Sequence, residues 1–200
     1  PQPAAARRKA DEEPETPQPG VALQMVLLAV ALAVMAGIGS IMGAHLPPLL
    51  IGIGASATAA VVAGMLVGPA QVAARLAEFA LVRRIHPLVS ARVAVGLFPI
   101  GAGLLLALGP LAAAPFAILY GAGNGLFTIV RGTLPLVLFG TKNYGGRLGA
   151  LNVPARLVGA LAPLLFALGL ARSEPWALGV LIAACLLALG CLFALRKPAP

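Results

Sequence analysis

The chain has 200 residues, 60% of them hydrophobic and only 10% charged, with a formal net charge of +8. Water-soluble domains of this size do not carry so large an apolar share, which excludes an ordinary soluble enzyme or binding module. Six apolar stretches use up nearly the whole length and leave no room for a separate soluble domain.

Residues 1–20, rich in Pro, Ala, Glu and Gln, set Arg7, Arg8 and Lys9 against Asp11, Glu12, Glu13 and Glu15. Such a composition predicts a disordered connector. The chain opens at Pro1 with no signal-peptide pattern, and the expectation is that further sequence precedes it. The apolar stretches follow at 21–45, 54–79, 87–108, 112–139, 147–170 and 175–195, with a short tail at 196–200. Each reaches the roughly 20 residues needed to cross a hydrocarbon core of about 30 Å. In lipid the backbone must satisfy its own polar groups, so each is predicted to be a helix. The expected class is an all-α integral membrane protein with six transmembrane helices over 21–195.

Basic residues give the expected orientation. If the amino-terminal end is cytoplasmic, all of the 14 Lys and Arg except Arg131, Arg156 and Arg172 fall on that side. Both termini are then expected in the cytoplasm, with Arg172 in a loop on the far side. No aromatic platform interleaves the basic residues, so nucleic acid is not expected as a partner. Cys185 and Cys191 form no disulfide framework and read as packing residues in the last stretch. Metal-ligand clusters and a nucleotide-binding glycine-lysine loop are both missing, so no cofactor is expected.

The second half of the chain echoes the first. His45-Leu46-Pro47-Pro48 through Gly52 matches Thr133-Leu134-Pro135-Leu136 through Gly140, and Gly37 maps onto Gly125 at the same offset. Gly64 to Val72 resembles Gly149 to Leu157 at a slightly shorter one, which pairs Gln71 with Arg156. An odd number of spans per copy makes the copies opposite in orientation, and inverted three-helix repeats mark transporter folds.

Gly121-Ala122-Gly123-Asn124-Gly125, Arg131-Gly132-Thr133-Leu134-Pro135, Phe139-Gly140 and Tyr144-Gly145 together resemble the tenth span and following loop of bacterial major facilitator superfamily transporters. Gly68-Pro69-Ala70-Gln71 through Arg75 is similar to their eighth span running into its cytoplasmic loop, although Val72 stands where that loop motif has an acid. The resemblance covers nearly the whole chain. It implies the carboxy-terminal six-helix half of a secondary transporter, arranged as two inverted three-helix repeats in a bacterial inner membrane. A second, amino-terminal six-helix half, the lipid bilayer and a small-molecule substrate would be its partners, with efflux by alternating access as the expected activity.

Ionisable groups inside a span are costly and therefore functional candidates. Arg156 lies well inside the fifth stretch and pairs with polar Gln71 in the repeat. Both read either as cavity groups for an anionic solute or as structural hydrogen-bonding residues between helices. Arg131 reads as a substrate contact or as a side chain reaching the headgroups. Asn124 reads as a substrate-binding amide or a packing residue. His45, at the outer end of the first stretch, is a candidate proton sensor or an interfacial loop residue. Gly68, Arg75 and Glu78 form a candidate cytoplasmic gate, Arg75 and Glu78 being close enough on one helix surface to pair. Pro99, Pro115, Pro135, Pro154 and Pro163 are expected to bend their helices. Two alternatives compete. One is a transport-inactive membrane partner. The other is an intramembrane protease, which Ser40 and His45, too close on one helix, serve poorly.

Overall fold

The computed structural model describes residues 19–81 and 86–195. The connector up to residue 18, Arg83, Arg84 and the tail at 196–200 lie outside the described residues.

Helix α1 spans Pro19–Gly52 and runs straight through Pro47 and Pro48, well past its expected end near residue 45. The two prolines deprive the carbonyls of Gly43 and Ala44 of their helical donors, yet an apolar environment leaves the chain no better partner than the rest of the helix. Gly54, at a φ of 100°, turns the chain where a side chain would be strained. Helix α2, Ala57–Leu81, follows, and the Ser56 hydroxyl accepts from the Ala59 N–H at 3.1 Å to cap it. Helix α3, Pro87–Leu108, begins with Pro87 in its first turn and the His86 Nδ1 accepting from the Leu88 N–H at 3.2 Å. A short 3-10 turn over Gly109–Ala112 leads into α4, Ala113–Phe139. Helix α5 is Tyr144–Leu170 and α6 is Glu174–Ala194. Ser173 caps α6 by accepting from the Trp176 N–H at 3.3 Å, with Glu174 and Pro175 in the first turn as their order in the sequence suggests.

The expected helix count is corrected here. The sequence predicts a loop between 108 and 112 and hence six spanning helices, but α-helix and 3-10 turn follow one another with no intervening loop over the 53 residues Pro87–Phe139. The chain therefore has five helical segments long and apolar enough to cross a membrane: Gly20–Gly52, Ala57–Ala80, Pro87–Phe139, Tyr144–Leu170 and Glu174–Ala194. The fold class of six helices in two inverted three-helix repeats, half of a major facilitator bundle, falls with that count. The local cause is Gly109-Pro110. Gly109 takes a φ of 59°, and Pro110 restarts helical geometry at once, so the chain reverses inside one 3-10 turn.

The two arms of that long segment fold against each other. Phe98 meets Phe116 edge-on with ring centroids 5.7 Å apart and Tyr120 at 6.2 Å, and Phe116 stacks on Tyr120. A Cβ on Gly123 would stand 2.6 Å from the Ala94 carbonyl oxygen, so the backbones touch there. Elsewhere α1 packs chiefly along α5, α2 along α4, and α6 against both α1 and α3. Lipid tails are as apolar as leucine, so close backbone approach and van der Waals fit hold such helices together. Gly37 faces Val158 and Ala162 of α5 in this way, and Gly121 and Gly125 face the Val67 and Gln71 carbonyls of α2. The core between the helices is Leu28, Ile38, Leu49, Leu134, Leu151, Leu178 and the free thiol of Cys185, all buried. The outer faces are apolar as well: Leu161, Leu164, Leu165 and Leu168 of α5 and Met65 and Phe79 of α2 are exposed. Apolar inside and out, these helices fit a membrane-embedded protein.

Candidate functional site

Polar side chains interrupt the apolar surface of α4. Asn124, Thr128 and Arg131 follow at helical i, i+4, i+7 spacing and so share one face. The glycines Gly121, Gly123 and Gly125 set the height of that face, because they bring α4 into backbone contact with α2 and α3. What remains open is a cavity of about 300 Å³ between α1, α4 and α5. Its polar lining is Asn124, Thr128, Arg131 and Asn152; Leu32, Met35, Ala36, Gly39 and Phe127 supply apolar wall. A volume of that order suits a small solute.

Each polar group is oriented by a neighbour or left unengaged. The Thr128 hydroxyl donates to the Asn124 carbonyl at 2.8 Å and accepts from Arg75 Nη2 at 3.3 Å. Arg75 thus reaches from α2 to the rim of the cavity, and its Nε is buried with no hydrogen-bond partner among the described residues. Asn152 Nδ2 donates to the Leu148 carbonyl at 2.7 Å, which fixes the side chain along α5. Asn124 Oδ1 lies over Gly39, where a built Cβ would be 3.7 Å away. Arg131 is exposed and has neither a hydrogen-bond nor an acidic partner among the described residues. No carboxylate lines the cavity. The site is cationic and rich in amides.

The residues singled out in the sequence separate on the structure. Asn124 and Arg131 are brought together in the cavity wall. Gln71 is not in that wall; its backbone carbonyl is the atom against Gly125. Arg156 neighbours Ala155, which lines the cavity, but its own side chain is exposed outside the lining. Gly68 is exposed, and a Cβ there would meet nothing within 4 Å. The expected pairing of Arg75 with Glu78 is corrected: Arg75 bonds to Thr128 across the helix interface, while Glu78, on the same helix, is buried. His45 is not in a loop. It sits within α1, its Nε2 donates to the Pro163 carbonyl of α5 at 3.1 Å, and its ring tilts against Phe166 at 5.6 Å. That makes it a tether between two helices. His45→Phe keeps the ring contact and loses the bond, and is expected to lower stability by about 1 kcal/mol in denaturant titration.

Thr128 and Asn152 are uncharged and escape a search for ionisable residues at membrane depth. The regular spacing of Asn124, Thr128 and Arg131 was the available signal for the first; none pointed to Asn152.

The wall formed by α4 and α5 is closed at one end by their connection. The Tyr144 hydroxyl donates to the Gly132 carbonyl at 2.8 Å, and Arg147 donates to the carbonyl of Phe139 in the last turn of α4. Gly140 at a φ of 73° and Asn143 at 49° make the turn between them, the latter in a region that asparagine tolerates. Tyr144→Phe is expected to cost about 1 kcal/mol, read as a lower midpoint in the same titration. Among the described residues no group of His, Cys, Asp and Glu could hold a metal ion.

No protein-family model matches the chain, and no curated protein does.

Proposed function

We propose that the chain forms one wall of a passage carrying a small anionic solute across a membrane. The observation that carries this reading is the cavity between α1, α4 and α5, where Arg131, without a partner among the described residues, stands beside Asn124, Thr128 and Asn152 with no carboxylate in the lining. An arginine guanidinium offers five N–H donors and suits carboxylate, phosphate or sulfate groups. A second observation supports it. Arg131 and Arg156 are both exposed within helices that would lie in lipid. Charged groups at that depth face protein or a water-filled space and not acyl chains. The surface of α4 and α5 that bears them therefore faces a second helical body or an aqueous path, and substrate would bind between the two.

The resemblance of Gly121–Gly140 and Gly68–Arg75 to major facilitator transporters supports the same reading and makes that second body an amino-terminal bundle in a bacterial inner membrane. The reading does not require a six-helix half-fold. Placing the end that carries Pro19, Lys142 and Arg147 in the cytoplasm follows the rule for basic residues.

The test is flux of succinate and of benzoate into vesicles holding the protein with its adjoining bundle. Saturable flux of an anion, competed by other anions and not by choline, supports the reading. A transport-inactive membrane partner predicts flux no greater than in empty vesicles.

A further inference from the structure

Between α3 and α6 lies a groove of about 320 Å³, lined by Arg92, Val93, Gly96, Leu97, Ile100, Leu189 and Phe193. Its chemistry is graded along its length. Arg92 lies near the start of α3, beside the last turn of α6, at the end where a spanning helix meets the headgroups. From there Gly96 and Ile100 carry the groove one and two turns deeper into the apolar zone. The middle is open over Gly96, where a Cβ would meet nothing within 4 Å. Val93, Ile100 and Phe193 are exposed on its edges.

Arg92 is held in place but not used up. Its Nε and Nη2 both donate to the Leu192 carbonyl, at 3.3 and 3.1 Å, and its guanidinium lies 4.5 Å over the Phe193 ring. The first contact caps an orphan carbonyl at the end of α6, and the cation also complements the negative end of that helix. Of the five guanidinium N–H groups, the three left over have no partner among the described residues. A structural cap needs no groove below it. A fixed cation at headgroup level above an apolar slot matches a lipid whose head is anionic and whose tail lies along the helices.

We infer that the α3–α6 groove is a binding site for an anionic phospholipid, its phosphate on Arg92 and one acyl chain along Val93, Gly96, Ile100 and Leu189. The site is separate from the cavity of α4 and independent of the transport reading. One cationic contact at the membrane surface corresponds to a preference of about fivefold over a zwitterionic lipid.

The purified protein in vesicles with photoreactive phosphatidylglycerol or phosphatidylcholine, followed by peptide mapping, tests this. Labelling within 93–100 and 189–193 is expected to be about fivefold higher with phosphatidylglycerol. Arg92→Gln is expected to erase that preference, and Arg92→Lys to retain most of it. Gly96→Phe, which leaves the Arg92 cap intact, is expected to remove acyl-chain labelling with either lipid. Equal labelling by the two lipids in the unaltered protein would overturn the proposal. So would undiminished labelling in Gly96→Phe, or crosslinks joining two copies of the chain through this groove in place of lipid.

Discussion

Arg131→Ala is expected to weaken the binding of succinate or benzoate about 10- to 100-fold, the loss of one charge-assisted hydrogen bond of about 1.5–3 kcal/mol. The effect is large because nothing else in the lining carries a free positive charge. Arg75 is committed to Thr128 at the rim, and Asn124 and Asn152 are neutral. Arg131→Lys is expected to recover part of the affinity, since the charge remains while the planar fork is lost. Folding provides the control. Arg131 is exposed and has no partner among the described residues, so truncating it leaves no buried group there unsatisfied, and the denaturation midpoint is expected to stay within about 0.5 kcal/mol of the parent. A variant that binds both anions as well as the parent would remove Arg131 from the site.

The second large effect is on the helix crossing that shapes the cavity. Gly125→Ala is expected to destabilise the protein by about 1–3 kcal/mol, because the new methyl would sit 2.5 Å from the Gln71 carbonyl oxygen and 2.9 Å from its Cα. A flexible side chain could move away; backbone on α2 cannot without shifting the helix. Gly132→Ala, on the same helix with nothing within 4 Å of its Cβ, is the comparison. There the change is expected to be neutral or to stabilise by up to about 1 kcal/mol, as alanine favours helix over glycine. Opposite signs for two identical substitutions on α4 are the signature of a backbone contact. The same shift of α4 would displace Asn124 and Thr128, so Gly125→Ala is expected to lower anion affinity as well, whereas Gly132→Ala is not.

These contrasts show what the sequence could and could not carry. The apolar stretches were legible because length and composition suffice: α5 and α6 begin and end within a few residues of the expected limits. The end of α1 was not. Pro47-Pro48 reads as a stop by local rules, but in an apolar setting the helix continues to Gly52 because unpaired backbone has no water to turn to. The helix count failed at Gly109-Pro110 for a related reason, since a glycine-proline pair signals a loop in sequence and here makes a reversal inside one 3-10 turn with no intervening loop. Asn124 and Arg131 were legible as polar groups inside an apolar stretch. The partner of Arg75 was not, because Thr128 lies on another helix and only tertiary packing brings the two together, while Glu78 was the nearer acid in sequence. Arg156 was chosen for its depth alone. Depth says nothing about azimuth, and a step of one residue from Ala155 turns a helix by about 100° and carries the side chain out of the cavity wall.

The most direct measurement is the reactivity of Thr128→Cys in sealed vesicles toward a membrane-impermeant, negatively charged thiol reagent, compared with Leu161→Cys on the exposed apolar face of α5 and read at each site by peptide mass. The account predicts rapid modification at residue 128, faster with the anionic than with the cationic form of the reagent, and none at residue 161. Modification at residue 128 no faster than at residue 161 would contradict a water-filled, cationic cavity between α1, α4 and α5.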